Sequence, residues 1–173
     1  MGDRVAGWLP NTIETAVAML ATSSLGGVWS SCSPDFGIEG ALDRFGQIEP
    51  KVLFACDGYF YAGKRINIRE KVRSVAKQVR SIELIVWVSV LEDTQAARPK
   101  ETNWGDWPSD SSRSINFEQL AFDHPLYIMY SSGTTGKPKC IVHGQGGTLI
   151  PVSYTHLRAH ETGRNLVCRL LLE

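Results

Sequence analysis

Residues 130–139 read YSSGTTGKPK, a run that sets four aliphatic hydroxyls, two glycines and two lysines side by side. Gly133 and Gly136 let the backbone turn and come close to a ligand. Ser131, Ser132, Thr134 and Thr135 add hydroxyl donors, and successive backbone N–H groups in such a loop form an anion-binding nest. Lys137 and Lys139 supply positive charge. These parts together suit the polyphosphate of a nucleotide. The loop is not of the Walker A type, which needs a glycine five positions before its Gly-Lys pair and a Ser or Thr after the lysine. Here Ser131 and Pro138 hold those positions. A plain hydrophilic hairpin uses the same residue types. The apolar runs on either side, 126–129 and 140–143, are what favour a ligand loop between two buried strands.

The ten-residue string resembles the phosphate-binding motif of the adenylate-forming superfamily, which includes acyl-CoA synthetases, luciferases and the adenylation domains of peptide synthetases. Further stretches narrow the resemblance. Residues 2–11 (GDRVAGWLPN) with Glu14, residues 25–37 (LGGVWSSCSPDFG) and residues 43–53 (DRFGQIEPKVL) are similar to acetoacetyl-CoA synthetases. The likeness runs from about Met1 to about Ile150.

That resemblance implies a two-step ligase. ATP and acetoacetate give acetoacetyl-adenylate and pyrophosphate, and CoA then takes the acyl group with release of AMP. It implies ATP phosphate binding by Ser131, Ser132, Gly133, Thr134, Thr135, Gly136, Lys137 and Lys139, and expects Mg2+ to accompany the triphosphate. More loosely, residues 62–65 (AGKR) resemble a stretch near the nucleotide phosphate of CoA, which nominates Lys64 and Arg65. A solvated basic turn is the simpler explanation of those two. No catalytic residue and no metal ligand is assigned, and His143 receives no proton-transfer role. The later family segments for adenine and ribose recognition, and the C-terminal domain with its acylation lysine, have no counterpart here. The chain is therefore expected to be an internal portion of a longer enzyme and inactive alone. The alternatives are a portion of another short-chain acyl-CoA synthetase or a self-standing nucleotide-binding domain.

Composition agrees with a soluble globular domain. The 173 residues are 43% hydrophobic and 21% charged, ordinary proportions for a soluble fold. A formal net charge of zero gives no broad electrostatic attraction for nucleic acid or anionic membrane. No apolar stretch is long enough for a membrane span. The start, Met-Gly-Asp-Arg, lacks the apolar core of a secretory signal. The four cysteines, Cys32, Cys56, Cys140 and Cys168, form no Cys-x-x-Cys pair, so zinc and redox motifs are unsupported. Free thiols in a reducing compartment, the cytosol, are expected.

The elements that must position the loop alternate in type. Strands are expected over 3–9, from Val28, over 51–56 and over 83–90. Helices are expected after Asn11, with Asn11 as cap and Ile13, Val17, Leu20 and Ala21 inward, and over 38–48, with Leu42, Phe45 and Ile48 inward. A third helix is expected over 68–79. Strand–helix alternation predicts an α/β unit, a parallel sheet with flanking helices plus the loop hairpin. Residues 92–114 read as a surface excursion, with Trp104 and Trp107 as anchors to the body. Residues 151–173 do not resemble an adenylating enzyme and do resemble the translation of a sequencing adapter. They are expected to be foreign to the domain of residues 1–150 and to bind no metal, although His156 and His160 share a helix face.

Overall fold

The computed structural model describes residues 1–92, 98–106, 114–132 and 136–158, the last five of these through their backbone. The expected alternation is present. Strand β1 (Arg4–Trp8) leads through helix α1 (Ile13–Ser24) to β2 (Val28–Cys32), and α2 (Ile38–Ile48) leads to β3 (Val52–Cys56). A hairpin, β4 (Gly58–Tyr61) and β5 (Lys64–Asn67), precedes α3 (Arg69–Gln78) and β6 (Leu84–Val88). Strand β7 (Glu101–Asn103), the hairpin β8 (Pro125–Ser131) and β9 (Lys139–Gly144), and helix α4 (Gln145–Arg158) follow. The sheet order is β7-β6-β3-β1-β2-β8-β9. Every pairing in it is parallel except that of β8 with β9.

Residues opposite one another in a parallel register share a sheet face. One face therefore carries Ala6, Trp8, Leu53, Ala55, Ile85 and Trp87. Helices α2 and α3 cover it with Ala41, Phe45, Ile48, Val72 and Val75, all buried. Trp8 meets Phe45 edge-on at 6.0 Å between ring centroids, a favoured aromatic geometry. Its indole N–H donates to the Ser33 carbonyl at 3.0 Å, so full burial of Trp8 leaves no orphan donor. The expected inward set of α2 is correct: Phe45 and Ile48 are buried and Leu42 packs against the core.

The other face carries Val5, Gly7, Trp29, Val52 and Phe54. Trp29, Phe54 and Trp104 form an aromatic row with centroid separations of 6.2 and 5.9 Å, so Trp104 is the anchor that the sequence suggests. Gly7 makes that row possible, because a Cβ there would lie 2.6 Å from the Trp29 ring. Trp107 lies outside the described residues.

Helix α1 departs from expectation in two ways. Its cap is Thr12 rather than Asn11, in extended conformation and without a side-chain cap bond. Thr15 Oγ1 donates to the Pro10 carbonyl at 2.7 Å instead, which ties the first turn to the end of β1. Its buried residues are Ala18 and Thr22, while Ile13 is 79% and Leu20 64% exposed. Small side chains let the helix lie close to the sheet, and Thr22 satisfies its hydroxyl on the Ala18 carbonyl at 2.7 Å. The larger apolar stripe is left outward. Beside it an apolar cleft of 770 Å³ opens between α1, Val5, Val52, Phe54 and Trp104. Exposed apolar surface of this kind favours association.

The excursion after β6 contains more order than its composition suggests. Glu101 opens β7 and accepts both Nε and Nη2 of Arg73, at 2.8 and 2.9 Å, in a bidentate pair. The Trp87 indole N–H adds a third bond at 2.9 Å. Side-chain exposures of 9% for Arg73 and 5% for Glu101 make this a buried pair. Burial pushes the Glu101 carboxyl up, but Arg73, Trp87 and the Arg98 N–H outweigh it and hold the group at about 2. Stability from Glu101 is thus complete above its usual value near 4.5 and is lost as pH falls toward about 2. Glu101→Gln should lower unfolding stability by about 3 kcal/mol at neutral pH. In urea titrations the deficit should close as pH falls through that window. A deficit unchanged at low pH would contradict the role assigned to the pair.

Candidate nucleotide-phosphate site

Parallel pairing to β2 fixes where β8 delivers its loop. The register Trp29↔Tyr127 and Ser30↔Ile128 brings the end of β8 to the same edge as the ends of β1 and β2. In open α/β sheets ligands bind at this edge, outside the carboxyl ends of the strands. The antiparallel return begins with Ser131↔Lys139, so the hairpin opens at this edge, where Ser132 leaves β8 and Gly136, Lys137 and Pro138 lead into β9.

Within that turn, Ser131 is half-buried, while Ser132, Gly136, Lys137 and Lys139 are exposed. Gly133, Thr134 and Thr135 lie outside the described residues. Gly136 has φ +102, in the region that favours glycine, so this glycine is needed for the turn itself. The Lys137 side chain is 77% exposed and its Nζ is 3.8 Å from Asp43 Oδ1 on α2. The carbonyl of Pro138 accepts a bond from Gln47 Nε2 at 3.0 Å. Asp43 and Gln47 lie four apart on one helix face. The sequence reading does not nominate them, because their partners lie about 90 positions later in the chain.

Below the turn the hairpin is fastened to the sheet by Ser30. This buried hydroxyl donates to the Ile128 carbonyl at 2.8 Å and sits 3.1 Å from the Tyr130 hydroxyl. Burial pushes the Tyr130 hydroxyl up to about 12, so it serves as a neutral hydrogen-bonding group. The Arg44 guanidinium stacks 4.0 Å from the Phe36 ring centroid and 5.5 Å from that of Tyr130. It also donates to the Gly40 carbonyl at 2.7 Å. Gly40 leaves room for this stack, since a Cβ there would meet Phe36 at 2.9 Å. Trp29, Cys32, Phe36, Arg44 and Tyr130 thereby border a cleft of 600 Å³ next to the turn. Cys32 is a buried free thiol whose pKa burial pushes up to about 12, which makes it a poor nucleophile.

Lys64 and Arg65 fall elsewhere on the same edge. They begin β5, after a tight turn in which Ala62 and Gly63 both have positive φ, 48 and 74. That geometry suits a two-residue hairpin, which the sequence reading takes only for a basic turn. Both residues are exposed, and Arg65 donates to the Leu91 carbonyl. The hairpin leaves β3, and three strand spacings, about 14 Å, separate β3 from β8. The structure does not bring Lys64 and Arg65 into contact with the described residues of 131–139. Asp57, buried at the end of β3, accepts the N–H groups of Val90 and Leu91 at 2.8 and 3.0 Å and organises the exit of β6. His143 packs its ring 5.0 Å from that of Tyr127, a cross-strand contact within the hairpin. Among the described residues no three His, Cys, Asp or Glu side chains gather as a metal site. No described helix is long and apolar enough to cross a membrane.

A sequence profile of AMP-binding enzymes matches residues 1–169. The acetoacetyl-coenzyme A synthetase of Rhizobium meliloti (strain 1021) is 51% identical over 164 residues, covering 92% of this chain and 24% of the relative. The acetoacetyl-CoA synthetase of Gallus gallus is 48% identical over 168 residues, covering 92% of this chain and 25% of the relative. A solved structure, acetoacetyl-CoA synthetase from Streptomyces lividans, superposes with a TM-score of 0.84 at 42% identity, over 90% of this chain and 24% of that one. The chain thus spans about a quarter of the length of the curated relatives it matches. The profile match runs past Ile150, and α4 runs to Arg158.

The fastening by Ser30 is open to test. Ser30→Ala removes the hydroxyl from both the Ile128 carbonyl and Tyr130 and should cost about 1–2 kcal/mol. Hydrogen exchange should accelerate in β8 and β9 and remain unchanged in β3 and β6. Uniform acceleration across the sheet would show that Ser30 does not hold the hairpin specifically.

Proposed function

The chain belongs to the AMP-binding enzyme family, and on that premise we propose that it is the ATP-phosphate-binding portion of an acetoacetate–CoA ligase. The observation that carries the proposal is the position of the glycine-, hydroxyl- and lysine-rich turn. Strands β8 and β9, which flank it, open at the carboxyl edge of the sheet, and the backbone of Gly136 within it requires a glycine.

In this reading Ser131, Ser132, Gly133, Thr134, Thr135, Gly136, Lys137 and Lys139 receive the β- and γ-phosphates. A carboxylate oxygen of acetoacetate attacks the α-phosphorus, the bond from that phosphorus to the bridging oxygen breaks, and pyrophosphate leaves with the electron pair. Negative charge on the departing phosphates rises as this bond breaks. Fixed N–H groups and Lys137 therefore stabilise the transition state more than the ground state. The CoA thiol then attacks the acyl carbon, AMP leaves, and the thiol proton passes to solvent. Lys64 and Arg65, on the same edge, are proposed to meet phosphate groups of CoA. Mg2+ typically takes phosphate and water oxygens with one or two carboxylates. It is proposed to arrive on the nucleotide, and no residue described here is assigned to it. The cytosol is the proposed location, in keeping with three free cysteines among the described residues.

Residues 1–150, grafted in place of the aligned segment of the Rhizobium meliloti relative, provide the test. Lys137→Ala in this chimera should slow ATP–pyrophosphate exchange about 100-fold while its unfolding midpoint stays near that of the parent chimera. Unchanged exchange would refute the assignment of the loop.

A further inference from the structure

Helix α2 makes two contacts with the turn at 136–138, and they differ in chemistry. Gln47 Nε2 donates to the Pro138 carbonyl at 3.0 Å, and the same amide donates to the carbonyl of Asp43 within the helix. This bond holds backbone on the outgoing limb, where a phosphate ligand does not compete for it. The Asp43 carboxylate lies 3.8 Å from Lys137 Nζ. Here the partner is the charge that would meet a phosphate. Lys137 is 77% and Asp43 35% exposed at the side chain, so the pair is weak, screened by salt and readily exchanged for a stronger anion.

We propose that Asp43 stands in for a nucleotide phosphate at Lys137 in the ligand-free protein, while Gln47 holds the turn in its binding shape. Asp43 is then an internal competitor that weakens triphosphate binding, and Gln47 is a positioning residue that strengthens it. The inference rests on the reading of 131–139 as the phosphate loop. A polyphosphate carries several negative charges against the single charge of Asp43, so it displaces the carboxylate. Asp43 left beside the bound phosphates adds like-charge repulsion, which acts in the same direction. Arg44, the next residue, does not take over the role, because its guanidinium is engaged by Phe36, Tyr130 and the Gly40 carbonyl.

Two neighbours on one helix should therefore move the same constant in opposite directions. In the chimera carrying residues 1–150, Asp43→Asn should lower the KM for ATP in pyrophosphate exchange by about 2- to 5-fold, with kcat little changed. The gain should shrink as ionic strength rises. Gln47→Ala should raise the same KM. In a Lys137→Ala background, Asp43→Asn should have no effect beyond a residual repulsion term, since its partner is gone. If the graft lacks exchange activity, dissociation constants for pyrophosphate from calorimetry give the same comparison. A KM unchanged in Asp43→Asn, or shifted in the same direction by both variants, overturns this inference while an impaired Lys137→Ala leaves the loop assignment standing. Exchange or pyrophosphate binding unaffected by Lys137→Ala removes both.

Discussion

The junction between β2 and β8 is the constraint on which the site depends. Only Trp29↔Tyr127 and Ser30↔Ile128 join the two strands in register, yet this short seam decides the direction of β8. Because it is parallel, the chain leaves β8 at the carboxyl edge of the sheet; an antiparallel seam would send it to the opposite edge. Ser30 reinforces the seam from within, and its hydroxyl also reaches Tyr130, the last aromatic before the loop. The chemistry of the loop lies in its residues, but its address lies in two strand partners and one buried serine.

The sheet behind that seam is covered differently on its two faces. Trp8, Phe45, Leu53, Val72 and Trp87 are buried to within 1% exposure under α2 and α3, which makes a close-packed core of ordinary quality. On the opposite face, among the described residues, α1 and Trp104 lie over the strands, and the aromatic row Trp29, Phe54 and Trp104 borders an open apolar cleft. The rigid face carries α2, and α2 carries the contacts to the loop. Residues 136–138 are thereby referenced, through Asp43 and Gln47, to the closely packed face of the sheet.

Much of this arrangement was legible in the sequence, for identifiable reasons. Strands such as 52–56 and 84–88 are continuous apolar runs, as strands buried on both faces must be. Helix α2 repeats Ala41, Phe45 and Ile48 at helical spacing. The glycine and lysine run stood out between its two apolar flanks, and its resemblance to a family motif suggested a phosphate loop. Other features were hidden because tertiary partners create them. Nothing local marks Ala18 and Thr22 as the inner face of α1 when Ile13, Val17 and Leu20 are more apolar. Glu101 looks like one more acidic residue in a polar stretch until Arg73 and Trp87 are found around it. The β4–β5 hairpin was masked by a turn beginning with Ala62, a residue that seldom adopts positive φ. Asp43 and Gln47 gain meaning only when a loop from about 90 positions later is brought beside them.

The central claim is that residues 131–139 contact the terminal phosphates of ATP. An acyl-phosphate derivative of ATP, which places a lysine-reactive carbonyl at the γ-phosphate, tests it directly. The chimera carrying residues 1–150 would be labelled with and without excess ATP and mapped by mass spectrometry. The account predicts acylation at Lys137 or Lys139 that ATP prevents. Labelling that ATP prevents at Lys64 or another lysine, with Lys137 and Lys139 unprotected, would contradict it.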